Sequence, residues 1–156
     1  MYSIFSLIFR QEKMQLTTHT DYSLRLLIYL ALLDNNQTGT VQLAADHYGI
    51  SSNHLAKVAQ TLVQLGYVQG QRGRGGGLRL DMSADKINLG DIVRKTENLQ
   101  LLECFGEEST CPIVPACNLK RVLANAQTAF LEVLDGFSLA DLVTNRKQLI
   151  KLLEVA

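Results

Sequence analysis

The chain has 156 residues, 47% of them hydrophobic, with 15 Lys and Arg balanced by 15 Asp and Glu. That composition excludes a disordered polar chain and a wholly polybasic one, and the length allows one or two small domains around a packed core. Three cysteines, an odd number with no secretory leader ahead of them, argue against a disulfide scaffold and for a reducing cytoplasm.

The chain opens on MYSIFSLIFRQEK. Its apolar run is too short to span a bilayer and lacks a basic n-region and a small-residue cleavage site, so neither a membrane span nor a signal peptide is expected. Met14 begins a more ordinary sequence, and residues 1–13 are expected to be an over-called start; a short apolar arm against a partner is the alternative.

Residues 20–33, TDYSLRLLIYLALL, predict a helix with Leu24, Leu27, Ile28 and Ala31 on one face, and Thr18 and Asp21 match a capping box at its start. Thr40 can cap a short second helix, VQLAADHY, that ends at Gly49. Ser51 or Ser52 can cap a third helix that runs to Gly66, with Leu55, Val58, Ala59, Leu62 and Leu65 as its buried stripe. Two short β-capable runs, YVQGQ and LRLDM, then flank the turn RGRGGG. Helix, short helix, helix and basic hairpin is the order of a winged helix-turn-helix, here over residues 14–82.

Residues 83–117 hold a helix capped by Asn88 and then a loop whose backbone is restricted by Pro112 and Pro115. Residues 118–156 carry the apolar seam Leu119, Leu123, Ala126, Phe130, Val133 and Phe137, which reads as a dimerisation helix. A second capping box, Ser138 with Asp141, opens a final helical stretch. The fold class is therefore mainly α with a small β-hairpin wing.

Two sets of residues carry chemistry. The third helix is the candidate recognition helix, since such helices present polar side chains from their first turns to base edges. Ser51, Asn53, His54 and Lys57 sit there, although an ordinary amphipathic helix would look the same. The wing tips the balance toward DNA: Arg72, Arg74 and Gly75 lie among further glycines that allow close approach to a backbone or a minor groove. A phosphate-cradling nucleotide loop is the weaker reading, because LRLDM follows the glycines in place of a Lys-Ser/Thr pair and a helix.

The other set is Cys104, Cys111 and Cys117, spaced C-x6-C-x5-C. Structural zinc favours closer pairs. A metal or cluster site, a thiol redox sensor and incidental thiols all remain open on spacing alone. His19, His47 and His54 lie in the N-terminal half, so a further ligand would be a local group such as Glu103 or a remote one. No nucleophile–base arrangement is present, and an enzyme is not expected.

The segments MQLTTHTDYSLRLLIYLA, YGISSNHLAKVAQTLVQLGYV, RGRGGGLRL, INLGDIVR, CPIVPACNLK and SLADLV resemble the NsrR-type nitric-oxide-sensing repressors, in a match that covers essentially all of residues 14–156. These belong to a bacterial winged-helix group that also includes the IscR iron–sulfur regulators. The resemblance implies a homodimer bound to double-stranded promoter DNA, with each subunit holding an iron–sulfur cluster, 2Fe–2S or 4Fe–4S, on Cys104, Cys111 and Cys117. It implies release of the DNA upon nitrosylation. Within T-D-Y-S-L-R it also implies Asp21 of the partner subunit as a fourth ligand, beside the capping role read above. The histidine that IscR-type proteins place near the third cysteine is absent. Without a cluster, residues 103–116 are expected to rearrange. A metal-free thiol switch on the same scaffold and an iron–sulfur electron-transfer protein are the competing classes.

Overall fold

Short polar side chains set most of the helix starts in the computed structural model, which describes residues 15–34 and 36–155; the extension over residues 1–13 lies outside them. Thr40 caps α2 (Val41–Tyr48) by accepting the Leu43 N–H at 3.1 Å, and Gly49 closes that helix in the left-handed region at φ 62°. Ser51 caps α3 (Ser52–Gln64), and Gly66, at φ 79°, turns the chain out of it. Asn88 caps α4 (Leu89–Thr96) by accepting the Asp91 N–H at 3.0 Å.

The start of α1 (Thr18–Leu32) departs from expectation. Its cap is Thr17, whose hydroxyl accepts the Thr20 N–H at 3.3 Å, so the box of Thr18 with Asp21 does not form. The third helical residue after Thr17 is Thr20, which has no carboxylate to return, and the Thr17 N–H goes instead to Glu97. The burial of α1 is also rotated. Leu26 and Leu27 lie deepest, with Tyr29, Leu30 and Leu32 also buried, while Leu24, Ile28 and Ala31 are half-buried, because α1 packs against α3, α4 and the hairpin rather than along one face.

The hairpin joins β1 (Val68–Gln71) and β2 (Gly77–Leu80) antiparallel, with Val68 opposite Leu80 and Gln71 opposite Gly77. A bridge from Gly39 to Leu78 stitches β2 to the link between α1 and α2. A Cβ on Gly77 would lie 2.4 Å from the Gly39 carbonyl oxygen, so this backbone approach requires glycine. The shared core runs through Leu55, Val58 and Leu62 of α3, Tyr67 and Val68, and Ile87, Ile92 and Leu139.

Two short 3₁₀ turns, Glu103–Phe105 and Val114–Ala116, carry the chain from α4 to α5 (Asn118–Asp135). Leu131 and Leu134 turn toward the core, Leu123 and Phe130 are half-buried, and Leu119, Val122, Ala126, Ala129 and Val133 stand open. The apolar seam expected on this helix therefore mixes two faces. A four-three alternation fits both, and only packing distinguishes them. The expected final stretch divides into α6 (Leu139–Leu142), opened by the capping box of Ser138 and Asp141, and α7 (Arg146–Leu153).

Candidate functional site

The DNA-reading candidates gather on one exposed surface. Asn53, His54 and Lys57 are exposed on the first turns of α3, opposite its buried stripe of Leu55, Val58, Ala59 and Leu62. Ser51 has a structural duty as well, since its hydroxyl accepts the His54 N–H at 3.4 Å and fixes where the helix begins. At the wing tip Arg72, Arg74 and Gly75 are exposed, and Gly73 (φ 102°) and Gly75 (φ 77°) hold left-handed conformations that bulky residues resist. The Thr38 hydroxyl donates to the Gly75 carbonyl at 3.1 Å and ties the tip to the helical head. Neither arginine has an acid partner among the described ion pairs.

A small cleft of about 200 Å³ separates the N-terminal turns of α1 and α3. Thr18, His19 and Tyr22 line one wall, and His54, Lys57 and Val58 the other. The rings of Tyr22 and His54 meet edge to face with centroids 6.2 Å apart. No sequence signal points to this contact, because nothing in either segment specifies how the two helices cross.

Asp21 lies near this wall, on α1. Its carboxylate accepts from the Arg25 Nε at 2.9 Å, and both side chains remain partly exposed. Arg25 also stands over the rings of Tyr22 and Tyr48, 5.9 and 5.7 Å from their centroids. Burial pushes the Tyr48 hydroxyl up to about 12, so it stays a neutral donor. The hydrogen bond that Arg25 donates to Asp21 raises its guanidinium further above its already high value. Asp21 is thus an ion-paired side chain in the single chain, neither a cap nor a group already facing thiols.

The cysteines occupy the segment between α4 and α5. Cys104 is half-buried in the first 3₁₀ turn and Cys111 is exposed. Cys117 is the N-cap of α5, with its Sγ accepting the Lys120 N–H at 3.4 Å. All three are free thiols. Among the described residues no three His, Cys, Asp or Glu side chains stand close enough together to hold a metal ion. The three thiols thus share one segment without forming a ligand cage there. The donor set nonetheless suits iron and sulfide: three soft thiols within fourteen residues, on a backbone of two short turns with no helix or strand to unravel between them.

Around this segment the structure adds residues that no motif announced. Glu97, at its root, accepts from Thr17. At the other end of α5 the Arg94 guanidinium grips Asp135 with both nitrogens at 2.6 Å. Gly90 leaves the space for this, since a Cβ there would strike the Asp135 carboxylate.

Comparison with known proteins places this geometry. A family model, Rrf2, described as an iron-dependent transcriptional regulator, matches residues 16–145. The HTH-type transcriptional regulator NsrR of Bacillus subtilis is 49% identical over 144 residues, covering 91% of this chain and 99% of the relative. Among solved structures, CymR of B. subtilis, titled the global cysteine regulator, superposes with a TM-score of 0.68 at 27% identity, over 85% of this chain and 98% of that one. IscR of T. potens shares the fold, with a TM-score of 0.69 at 24% identity over 84% of this chain and 87% of that one.

Proposed function

Because the chain belongs to the Rrf2 family, whose members are DNA-binding transcriptional regulators and not enzymes, we propose that it is a repressor whose grip on promoter DNA is set by an iron–sulfur cluster sensing nitric oxide. One observation supports the reading most: the root of the segment holding all three cysteines is tied through Glu97 to the start of α1, the helix whose Tyr22 meets His54 of the DNA-reading α3.

The DNA side works through charge and shape. Asn53, His54 and Lys57 would enter a major groove, and Arg72 and Arg74 would follow the backbone or the adjacent minor groove. Two such heads are needed for a pseudo-palindromic site, spaced about 34–36 Å apart. The open face of α5 supports a homodimer. Leu119 is 59% exposed, Val122 58% and Val133 64%, an apolar stripe that a second copy would cover.

The cluster side rests on the thiols. Cys104, Cys111 and Cys117 would hold the cluster, and the partner's Asp21 would supply the fourth ligand after loosening its hold on Arg25. When bound there, a cluster would supply iron open to nitric oxide, with the three thiolates and the partner's Asp21 as the ligands that could be displaced. What this chain then does is mechanical. With Cys104 and Cys117 tied to one centre, the segment between α4 and α5 is short-circuited, and the heads are held in one relative placement. With the thiols released, that constraint is gone and the spacing of the two α3 helices is no longer fixed.

Purification without oxygen, followed by visible spectroscopy and iron and sulfide assay, tests the reading. Broad thiolate–iron absorbance near about 400 nm that bleaches with nitric oxide, together with loss of promoter binding, is expected. A protein that stays colourless after reconstitution, yet loses DNA reversibly with oxidant, would replace the cluster with a thiol switch. An unchanged cluster spectrum in Asp21→Ala would return Asp21 to its pair with Arg25 alone.

A further inference from the structure

The cysteine segment and the DNA-reading helices are far apart in sequence, yet one side chain joins them. Glu97 follows α4, at the root of the segment. Its Oε2 accepts the Thr17 N–H at 2.7 Å and the Thr17 hydroxyl at 3.1 Å, and its Oε1 accepts the Asn98 N–H at 3.1 Å. Burial by itself would raise the Glu97 carboxyl, but hydrogen bonds from the Thr17 N–H, the Thr20 and Thr17 hydroxyls and the Asn98 N–H outweigh it and hold the group below the ordinary range. In an ordinary capping box the acid that returns to the cap N–H lies three residues inside the same helix. Here that acid comes from 80 residues away. The first turn of α1 is therefore completed by the cysteine segment.

Each end of this joint leads somewhere. Past Thr17, Thr18, His19 and Tyr22 form the α1 wall of the cleft against α3, and Tyr22 meets His54 edge to face. Past Glu97, the Leu99 carbonyl accepts from the Gln127 side-chain amide of α5, and Cys104 lies five residues beyond Leu99. A run of contacts and short chain links thus leads from the long helix to the base-reading end of α3, with the first cysteine joined to it along the chain. The carboxylate at its midpoint has both oxygens engaged, so it cannot yield on one side without changing the other.

We propose that Glu97 is a positioning residue, a latch through which displacement of the cysteine segment is passed to the N-terminus of α1 and so to the docking angle of α3. It rests on the cluster and DNA-binding reading above. It adds that the signal passes within each subunit, through a residue that binds neither iron nor DNA.

The test compares the parent with Glu97→Ala and Glu97→Gln, all reconstituted without oxygen, on a duplex selected by the parent from a random library. The ratio of Kd after nitric oxide to Kd before measures the coupling, on the scale of roughly 5- to 150-fold for allosteric pairs. Glu97→Ala is expected to keep its iron content and visible spectrum while that ratio falls about ten-fold, with Glu97→Gln between the two. A ratio equal to the parent's, with the spectrum intact, overturns the latch and leaves the sensor reading standing. If the parent itself shows no nitric oxide response, the sensor reading has failed, and hydrogen exchange on metal-free protein then decides the latch. Exchange should rise together in residues 17–23 and 98–104 of Glu97→Ala. A rise confined to one segment, or none, overturns it.

Discussion

The DNA-reading head and the cysteine segment are built on opposite plans. The head closes α1, α3, α4 and the hairpin over Leu26, Leu27, Leu55, Leu62 and Ile92, all essentially inaccessible to water. The cysteine segment has two three-residue turns, exposed Leu101, Leu102 and Ile113, and a few hydrogen bonds at its roots. Packing makes the head stiff, because a filled core resists small displacements. The segment lacks such packing and is held by short-range hydrogen bonds such as Thr110 to Glu103, so on the proposed reading a centre bound by its thiols would fix its shape. A receptor for a small signal benefits from this division: the part that must change is held weakly, and the part that must be reproducible is held strongly.

The comparison can be broken or sharpened by four measurements. Leu26→Ala strikes the head, and a fully buried leucine truncated in a core should cost about 2–5 kcal/mol in denaturant unfolding; a loss below about 1 kcal/mol would mean that the head is not the rigid half. Cys111→Ala strikes the segment. Iron and visible absorbance should disappear and promoter affinity should drop, while metal-free stability stays within about 0.5 kcal/mol of the parent, as for other exposed positions. Arg74→Ala probes the wing. The salt dependence of DNA binding should lose about one phosphate contact's worth of slope, with the cluster spectrum untouched.

The smallest effect concerns acid. The Lys95 ammonium, 2.8 Å from Asp91, and then the Tyr67 hydroxyl, at 2.5 Å, hold the Asp91 carboxyl below its ordinary value. A carboxyl lower in the folded state than in the unfolded one, where it titrates near about 3.9, stabilises the fold above that pH. The contribution is lost as pH falls through the folded value. Because Asp91 is about half exposed, the effect should stay under about 1 kcal/mol. The unfolding midpoint of Asp91→Asn should therefore depend less on pH between about 5 and 2 than that of the parent.

Legibility follows the range of the forces involved. Thr40, Ser51, Asn88 and the Ser138–Asp141 box act within four residues, and each helix starts where its cap implied. The start of α1 was misread because its last donor is satisfied by Glu97, which no local rule connects to Thr17. The seam of α5 was misplaced because two faces of one helix carry apolar residues, and only contact with α4 and the core tells them apart. The clustering of the cysteines suggests shared chemistry. Their arrangement was not legible, since thiols without a bound centre have no reason to converge.

The grip of Arg94 on Asp135 makes α5 a lever. Asn88 adds to the hold by donating to the Asp135 carbonyl at 2.7 Å, so the helix is pinned where it ends. Its other end, 18 residues away, is Cys117. At about 1.5 Å per residue the arm is about 27 Å long, and each degree of tilt at the pin carries the thiol about 0.5 Å. Ligand geometry tolerates errors of about that size. If Cys117 holds a cluster as proposed, a swing of one or two degrees would be enough to seat or unseat it, and the reverse stroke would deliver its loss to the head as a small rotation.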